Sequence, residues 1–77
     1  MVVNYSREGI CLRSEQAPDI GTELKFSCLS KGRTLMITGA SRWTIDQNGS
    51  LLTGCELTND MGYAISGITT SAFKNLM

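Results

Sequence analysis

The chain has 77 residues, of which 42% are hydrophobic, and seven Lys/Arg balance seven Asp/Glu for a formal charge of zero. That size is one small domain with a thin stability margin, since a chain of about 60 residues buries only about 60% of the surface its unfolded form exposes. The composition excludes a disordered tail, and the charge balance argues against sequence-blind binding to DNA or RNA and against polybasic attachment to a membrane, both of which rest on excess basic charge. No apolar run approaches the roughly 20 residues that cross a bilayer and no signal-peptide pattern opens the chain, so a cytoplasmic protein without membrane insertion is expected.

Taken in chain order, the pattern is mostly that of short strands. An apolar stub over about 1–4 runs into the polar stretch Asn4-Tyr5-Ser6-Arg7-Glu8-Gly9, whose Asn, Ser and Gly mark a turn. A second strand is expected over about 9–13, followed by a polar loop that carries the one proline, Pro18. Over 23–30 the alternation is clear, with Leu24, Phe26 and Cys28 on one face and Glu23, Lys25 and Ser27 on the other. Lys31-Gly32 then reads as a two-residue hairpin turn. The next strand, about 33–45, places Leu35, Ile37, Gly39, Trp43 and Ile45 in one phase, which makes Trp43 part of the core or its wall. Asn48-Gly49 is a second strong turn, and the returning strand spans about 51–58. The tail changes period. Met61, Ile65, Ile68, Ala72 and Leu76 follow helical spacing behind a capping Asn59 or Asp60, with Phe73 near the same face, so a helix is expected over about 60–75. Gly62 and Gly67 weaken it by about 1 kcal/mol each, which packing must offset. Short strands separated by turn signals, then a helix, describe a mainly β fold: a small antiparallel barrel closed by a C-terminal α-helix, one domain over residues 1–77.

The cysteines add no chemistry. Cys11, Cys28 and Cys55 are odd in number and far apart, and the chain has no histidine. They do not supply the four ligands of a structural zinc site, so no metal and no cofactor are expected, and each reads as a small buried hydrophobe. With no histidine and no acid–base pair identified by spacing, the chain is expected not to be an enzyme.

One motif stands out. Asn4-x-Ser6-x-x-Gly9, flanked by Val2-Val3 and by Ile10-x-Leu12, resembles the [D/N]-x-S-x-x-G signature of PilZ domains. Gly21-Thr-Glu-Leu-Lys-Phe26, Gly39-Ala-Ser-Arg-Trp43 and Gly54-Cys-Glu-Leu57 resemble the strands that follow it in that family, so the likeness runs in order along nearly the whole chain. The resemblance implies a PilZ-like antiparallel β-barrel with a C-terminal helix, acting in bacteria as a receptor for the second messenger cyclic di-GMP at the barrel's outer edge. It implies Asn4, Ser6, Arg7 and Gly9 as the ligand-binding residues. Asn4 and Ser6 would hydrogen-bond guanine edges or phosphate oxygens, Arg7 would reach a phosphate, and Gly9 would let the backbone approach the ligand closely. The family's second element, an R-x-x-x-R motif, has no counterpart in these residues: three residues precede Asn4, and no two of Arg7, Arg13, Arg33 and Arg42 have its spacing. Binding weakened by the loss of those forked phosphate donors is therefore expected.

The residues also support a reading without a ligand. Asn4 and Ser6 are types that cap their own turn through side-chain to backbone bonds, and Arg7 is a type that stays solvated at a surface. A barrel that begins with the bare strand Met1–Val3 has an open edge, which invites a second copy of the chain. The alternative function is thus a ligand-independent protein-interaction or oligomerisation module, with a homodimer expected through that edge or through the face of Ile65, Ile68, Ala72 and Leu76.

Overall fold

Two tight turns organise the centre of the molecule. In this computed structural model, which describes residues 1–76, Lys31 and Gly32 have φ of 51° and 77°, and Asn48 and Gly49 have 55° and 87°. Two successive positive φ values are the signature of type I′ turns, whose twist matches that of the strands they join. They connect β3 (Glu23–Ser30), β4 (Arg33–Gln47) and β5 (Ser50–Leu57) into an antiparallel meander. Upstream, β1 (Val2–Tyr5) pairs with β2 (Gly9–Ser14), and β2 lies against the far edge of β5. The sheet order is β1-β2-β5-β4-β3-β6, in which β6 (Phe73–Asn75) is a short strand added to β3. The sheet curls into a half-barrel with β1 and β6 at its two edges. Met77, the last residue of the domain expected over 1–77, lies outside the described residues.

The concave face holds the core: Val2, Ile10, Leu12, Leu24, Phe26, Cys28, Ile37 and Cys55 are buried there together with Ile65 from the tail. The expected alternation of Leu24, Phe26 and Cys28 is the one observed. The loop before β3 is fixed to β4 through Ser41, whose buried hydroxyl donates to the Asp19 carbonyl at 2.7 Å and accepts from the Thr22 N–H at 3.2 Å.

The C-terminal α-helix expected over 60–75 is absent. Among the described residues, that stretch forms two 3₁₀ turns, Gly62–Ile65 and Thr70–Ala72, and then β6. The physical reason lies in the backbone between the apolar positions. Ser66 and Thr69 are extended, with ψ of 131° and 147°, and Gly67 has a φ of 80°, so the backbone closes separate i→i+3 turns, Ile68 N–H to the Ile65 carbonyl and Ala72 N–H to the Thr69 carbonyl, rather than one α-helix. Asn59, expected as a helix cap, instead donates its side-chain amide to the Met36 carbonyl at 3.1 Å. Ile65 is fully buried on the sheet, and Ile68 and Phe73 pack against the core from different turns, so the continuous face of Ile65, Ile68, Ala72 and Leu76 does not exist. The tail instead closes the seam between the sheet's edges. The Tyr5 hydroxyl donates to the Ile68 carbonyl, and the Tyr5 ring meets Phe73 with centroids 5.0 Å apart at 53°.

Candidate functional site

Two β-bulges decide which side chains reach the convex face. In β1, Val2 is opposite Leu12 and Asn4 opposite Cys11, so Val3 is the extra residue. In β4, Ser41 is opposite Cys55 and Trp43 opposite Gly54, so Arg42 is the extra residue. An extra residue reverses which positions point inward beyond it. Without the first bulge Asn4 would share the inner face with Val2. Without the second Trp43 would share it with Ile37 and Ser41. With both, Asn4, Cys11, Gly54 and Trp43 form one row across β1, β2, β5 and β4 on the outer face.

Trp43 is therefore not core: it is 46% exposed, and Ile45 is exposed beyond it. Thr44 takes the inward position opposite the buried Thr53, and neither hydroxyl has a hydrogen-bond partner among the described residues. Gly54 makes the tryptophan's position possible, because a Cβ there would fall inside the indole ring. The indole thus rests against the backbone of β5 at Gly54, with nearly half of its surface open to solvent.

This row floors an outer groove of ≈ 370 Å³. Its walls include Asn4, Ser6, Glu8 and Gly9 from the β1–β2 turn, with Glu56 beside Gly9 across the β2–β5 ladder and Arg42 beyond it on β4. Arg42 Nη2 donates to Glu56 Oε1 at 2.9 Å, and both side chains are about half exposed or more, at 51% and 60%. An exposed pair of this kind contributes about 1 kcal/mol or less, so either member can exchange it for another partner at small cost. The turn is held by its own bonds. Asn4 Oδ1 accepts from the Tyr5 N–H at 2.9 Å, Ser6 Oγ from the Glu8 N–H at 3.3 Å, and the Gly9 carbonyl from the Ser6 N–H at 2.8 Å.

Of the four residues named from the sequence, Asn4, Ser6 and Gly9 line this groove and Arg7 does not. Arg7 lines an adjoining depression of ≈ 600 Å³ with Asn59, Asp60 and Tyr63, and Glu8 and Glu56 border both spaces. Gly9 is needed for closeness rather than for a left-handed backbone: its φ is not positive, and a Cβ would stand 2.7 Å from the Cys55 carbonyl oxygen. Sequence reasoning missed Arg42, Trp43 and Glu56 as groove residues. One signal was available. Counting back from the Asn48-Gly49 turn pairs Trp43 with Gly54, and a bulky ring opposite a glycine is a ring that needs the space above it.

The cysteines are free thiols, with Cys28 and Cys55 buried and Cys11 partly so. Burial pushes the Cys55 thiol up to about 11, with the nearby Cys11 adding to the rise, and burial also raises Cys28. Both buried sulfurs therefore stay protonated and unreactive near neutral pH. Among the described residues, no group of three or more His, Cys, Asp or Glu is placed to hold a metal ion, and no helix is long and apolar enough to cross a membrane.

The chain matches no family model, no curated protein and no solved structure.

Proposed function

We propose that this chain is a non-catalytic, cytoplasmic regulatory module that binds cyclic di-GMP in the outer groove, as its PilZ-like signature implies. The observation that carries the reading is the convergence of two distant segments. The Asn4-x-Ser6-x-x-Gly9 turn and the Arg42-Trp43 step of β4 line one concavity, although nothing in the sequence pattern required it. The groove's volume of ≈ 370 Å³ lies within the range of about 300–1,000 Å³ typical of small-molecule sites, so it suits one nucleotide half of such a ligand. An exposed indole face is a stacking surface for a purine, and a guanidinium is a forked donor to phosphate. Asn4 and Ser6 supply polar atoms at the rim, and Gly9 brings backbone to the edge of the same space.

The missing R-x-x-x-R donors set the expected strength. Each lost charge-assisted bond removes about 1.5–3 kcal/mol, so two of them weaken binding by two orders of magnitude or more. Titration of the 77-residue chain with cyclic di-GMP, by calorimetry or by NMR at millimolar ligand, is expected to give binding weaker than micromolar. Asn4→Ala and Trp43→Ala should reduce it further. Absence of any binding at millimolar ligand would overturn the proposal.

A second reading, the ligand-independent interaction module, is favoured by one specific feature: Asn4 and Ser6 already satisfy their own turn. It predicts that Asn4→Ala and Ser6→Ala lower the melting temperature with no ligand effect. It also predicts self-association through the part of the β1 edge before Tyr5, since β1 has a strand partner on one side, β2, and the tail covers its other side at Tyr5. A clean monomer in sedimentation at tens of micromolar would remove the homodimer form of this reading.

A further inference from the structure

The charges around the groove are wrong for a phosphate alone. Glu8 and Glu56 both line it, against the single guanidinium of Arg42 among its lining residues. A ligand that presented only anionic oxygens there would meet more negative than positive charge. The ligand surface that faces these carboxylates must therefore carry hydrogen-bond donors, because an ionised carboxylate only accepts.

We propose that Glu56 reads the base, accepting from the N1–H and the N2 amino group of a guanine stacked on Trp43, and so sets guanine over adenine. This assignment rests on the nucleotide-binding reading above and adds the residue that selects the base. Two features, its position on β5 and its bond to Arg42, place the role on Glu56 rather than Glu8. Glu56 sits two residues along β5 from Gly54, on the same outer face, about 7 Å from the point over which the indole lies. Its carboxylate already holds one cation, Arg42, through the 2.9 Å bond to Oε1, and that exposed bond is cheap to rearrange around a ligand. A carboxylate has about four lone-pair sites, so that bond leaves both oxygens able to accept again.

The chemistry then discriminates. Guanine offers two parallel N–H donors on its Watson–Crick edge, the same fork that a guanidinium offers a carboxylate. Adenine offers one donor, the N6 amino group, beside the bare N1 acceptor, whose lone pair would face a carboxylate oxygen. Adenine therefore loses one hydrogen bond and sets a lone pair against the carboxylate, which in a site this exposed costs about tenfold. Arg42 keeps a separate duty, since it remains free to donate to a phosphate from its other nitrogens while it pairs with Glu56.

The test is a titration of the full chain with cyclic di-GMP, cyclic di-AMP and cyclic di-IMP, the last lacking the N2 amino group, followed by NMR because binding is weak. The wild-type chain should prefer cyclic di-GMP to cyclic di-AMP by about tenfold or more, with cyclic di-IMP between them. Glu56→Gln should shrink that preference by a similar factor, chiefly by weakening cyclic di-GMP. Arg42→Gln should weaken all three dinucleotides together and leave their ranking in place. If Glu56→Gln instead tightens all three by one common factor, Glu56 is only a tether for Arg42 and the inference is overturned while the ligand reading stands. Binding of cyclic di-GMP by the wild type without preference over the other two would overturn it in the same way. Failure to bind any of the three removes the ligand reading and this assignment with it.

Discussion

The β3–β4 ladder and the β4–β5 ladder share a strand and do different work. From Glu23↔Ala40 to Ser30↔Arg33 the first runs without a register shift, and its inward positions Leu24, Phe26, Cys28 and Ile37 are all buried. The second carries the bulge at Arg42, and beyond it the large side chains Trp43 and Ile45 are exposed. Unbroken alternation keeps one face continuous, so Phe26 and Ile37 stay inward while Met36 and Leu29 face water. Broken alternation turns the phase of Ile37 outward at Trp43 and Ile45. The β1–β2 ladder repeats the lesson at Val3, which turns Asn4 to the same side.

That contrast is sharpest when a ring is removed from each ladder. Phe26→Ala should cost about 3–5 kcal/mol, a large share of what so small a domain has, and should leave the chain largely unfolded in a thermal melt. Trp43→Ala removes a larger ring yet should cost less, about 2 kcal/mol, because nearly half its surface already faces water. Similar losses at the two positions would break the distinction between core ladder and site ladder.

Gly54→Ala tests the bulged ladder from below. The new methyl cannot coexist with the indole, but the indole is at the surface and can swing away, so a loss of about 1–2 kcal/mol is expected. Tryptophan emission should shift to the red as the ring leaves the backbone, and any nucleotide binding should fall with it. An unchanged spectrum would mean that the indole does not rest on Gly54.

These residues also mark what the sequence made legible. Lys31-Gly32 and Asn48-Gly49 are readable because two consecutive positive φ values admit few residue types, so turn chemistry and register follow together. The inward set Ile10, Leu12, Leu24, Phe26, Cys28 and Ile37 is readable from its period of two. A bulge, in contrast, leaves no mark on a binary pattern, so continuing the phase of Ile37 through Trp43 put the tryptophan inside. The tail misled in another way. Met61, Ile65, Ile68 and Ala72 have helical spacing, but each apolar residue reaches the core from its own turn, and Ser66, Gly67 and Thr69 between them take non-helical backbone. Spacing alone does not separate one continuous face from several short returns. For the site, Asn4, Ser6 and Gly9 were visible as a turn motif, whereas Arg42 and Glu56 acquire meaning only once β4 and β5 lie side by side.

The bulged ladder's inward neighbour Cys55 gives the comparison a pH dependence. The Cys55 thiol is raised from 9.0 to about 11 in the folded chain, so the folded state holds this proton where the unfolded state has lost it. Its contribution is complete below pH 9 and is lost as the pH rises from there towards 11, in the direction that destabilises the fold. The slope is at most about 1.4 kcal/mol per pH unit for one proton. Denaturant titrations at pH 8 and pH 10.5 should differ more for the wild type than for Cys55→Ala, which keeps the inward position but has no proton to lose. Equal differences would show that other groups govern the alkaline limb.

The sheet order has a consequence for how the molecule comes into being. Strands β3, β4 and β5 are joined by two-residue turns, so they can zip together at little loop-closure cost, whereas β2 must find β5 across the whole of that meander. The meander is therefore expected to form in the folding transition state and the β2–β5 seam after it. Gly49→Ala should slow refolding in stopped-flow measurements, and Leu12→Ala should act mainly by speeding unfolding. During synthesis β1 and β2 emerge first and wait until residues 50–57 have been made. Asn4 and Cys11 join Gly54 and Trp43 only at that last docking, so the groove exists in a finished molecule and not in a partly folded one.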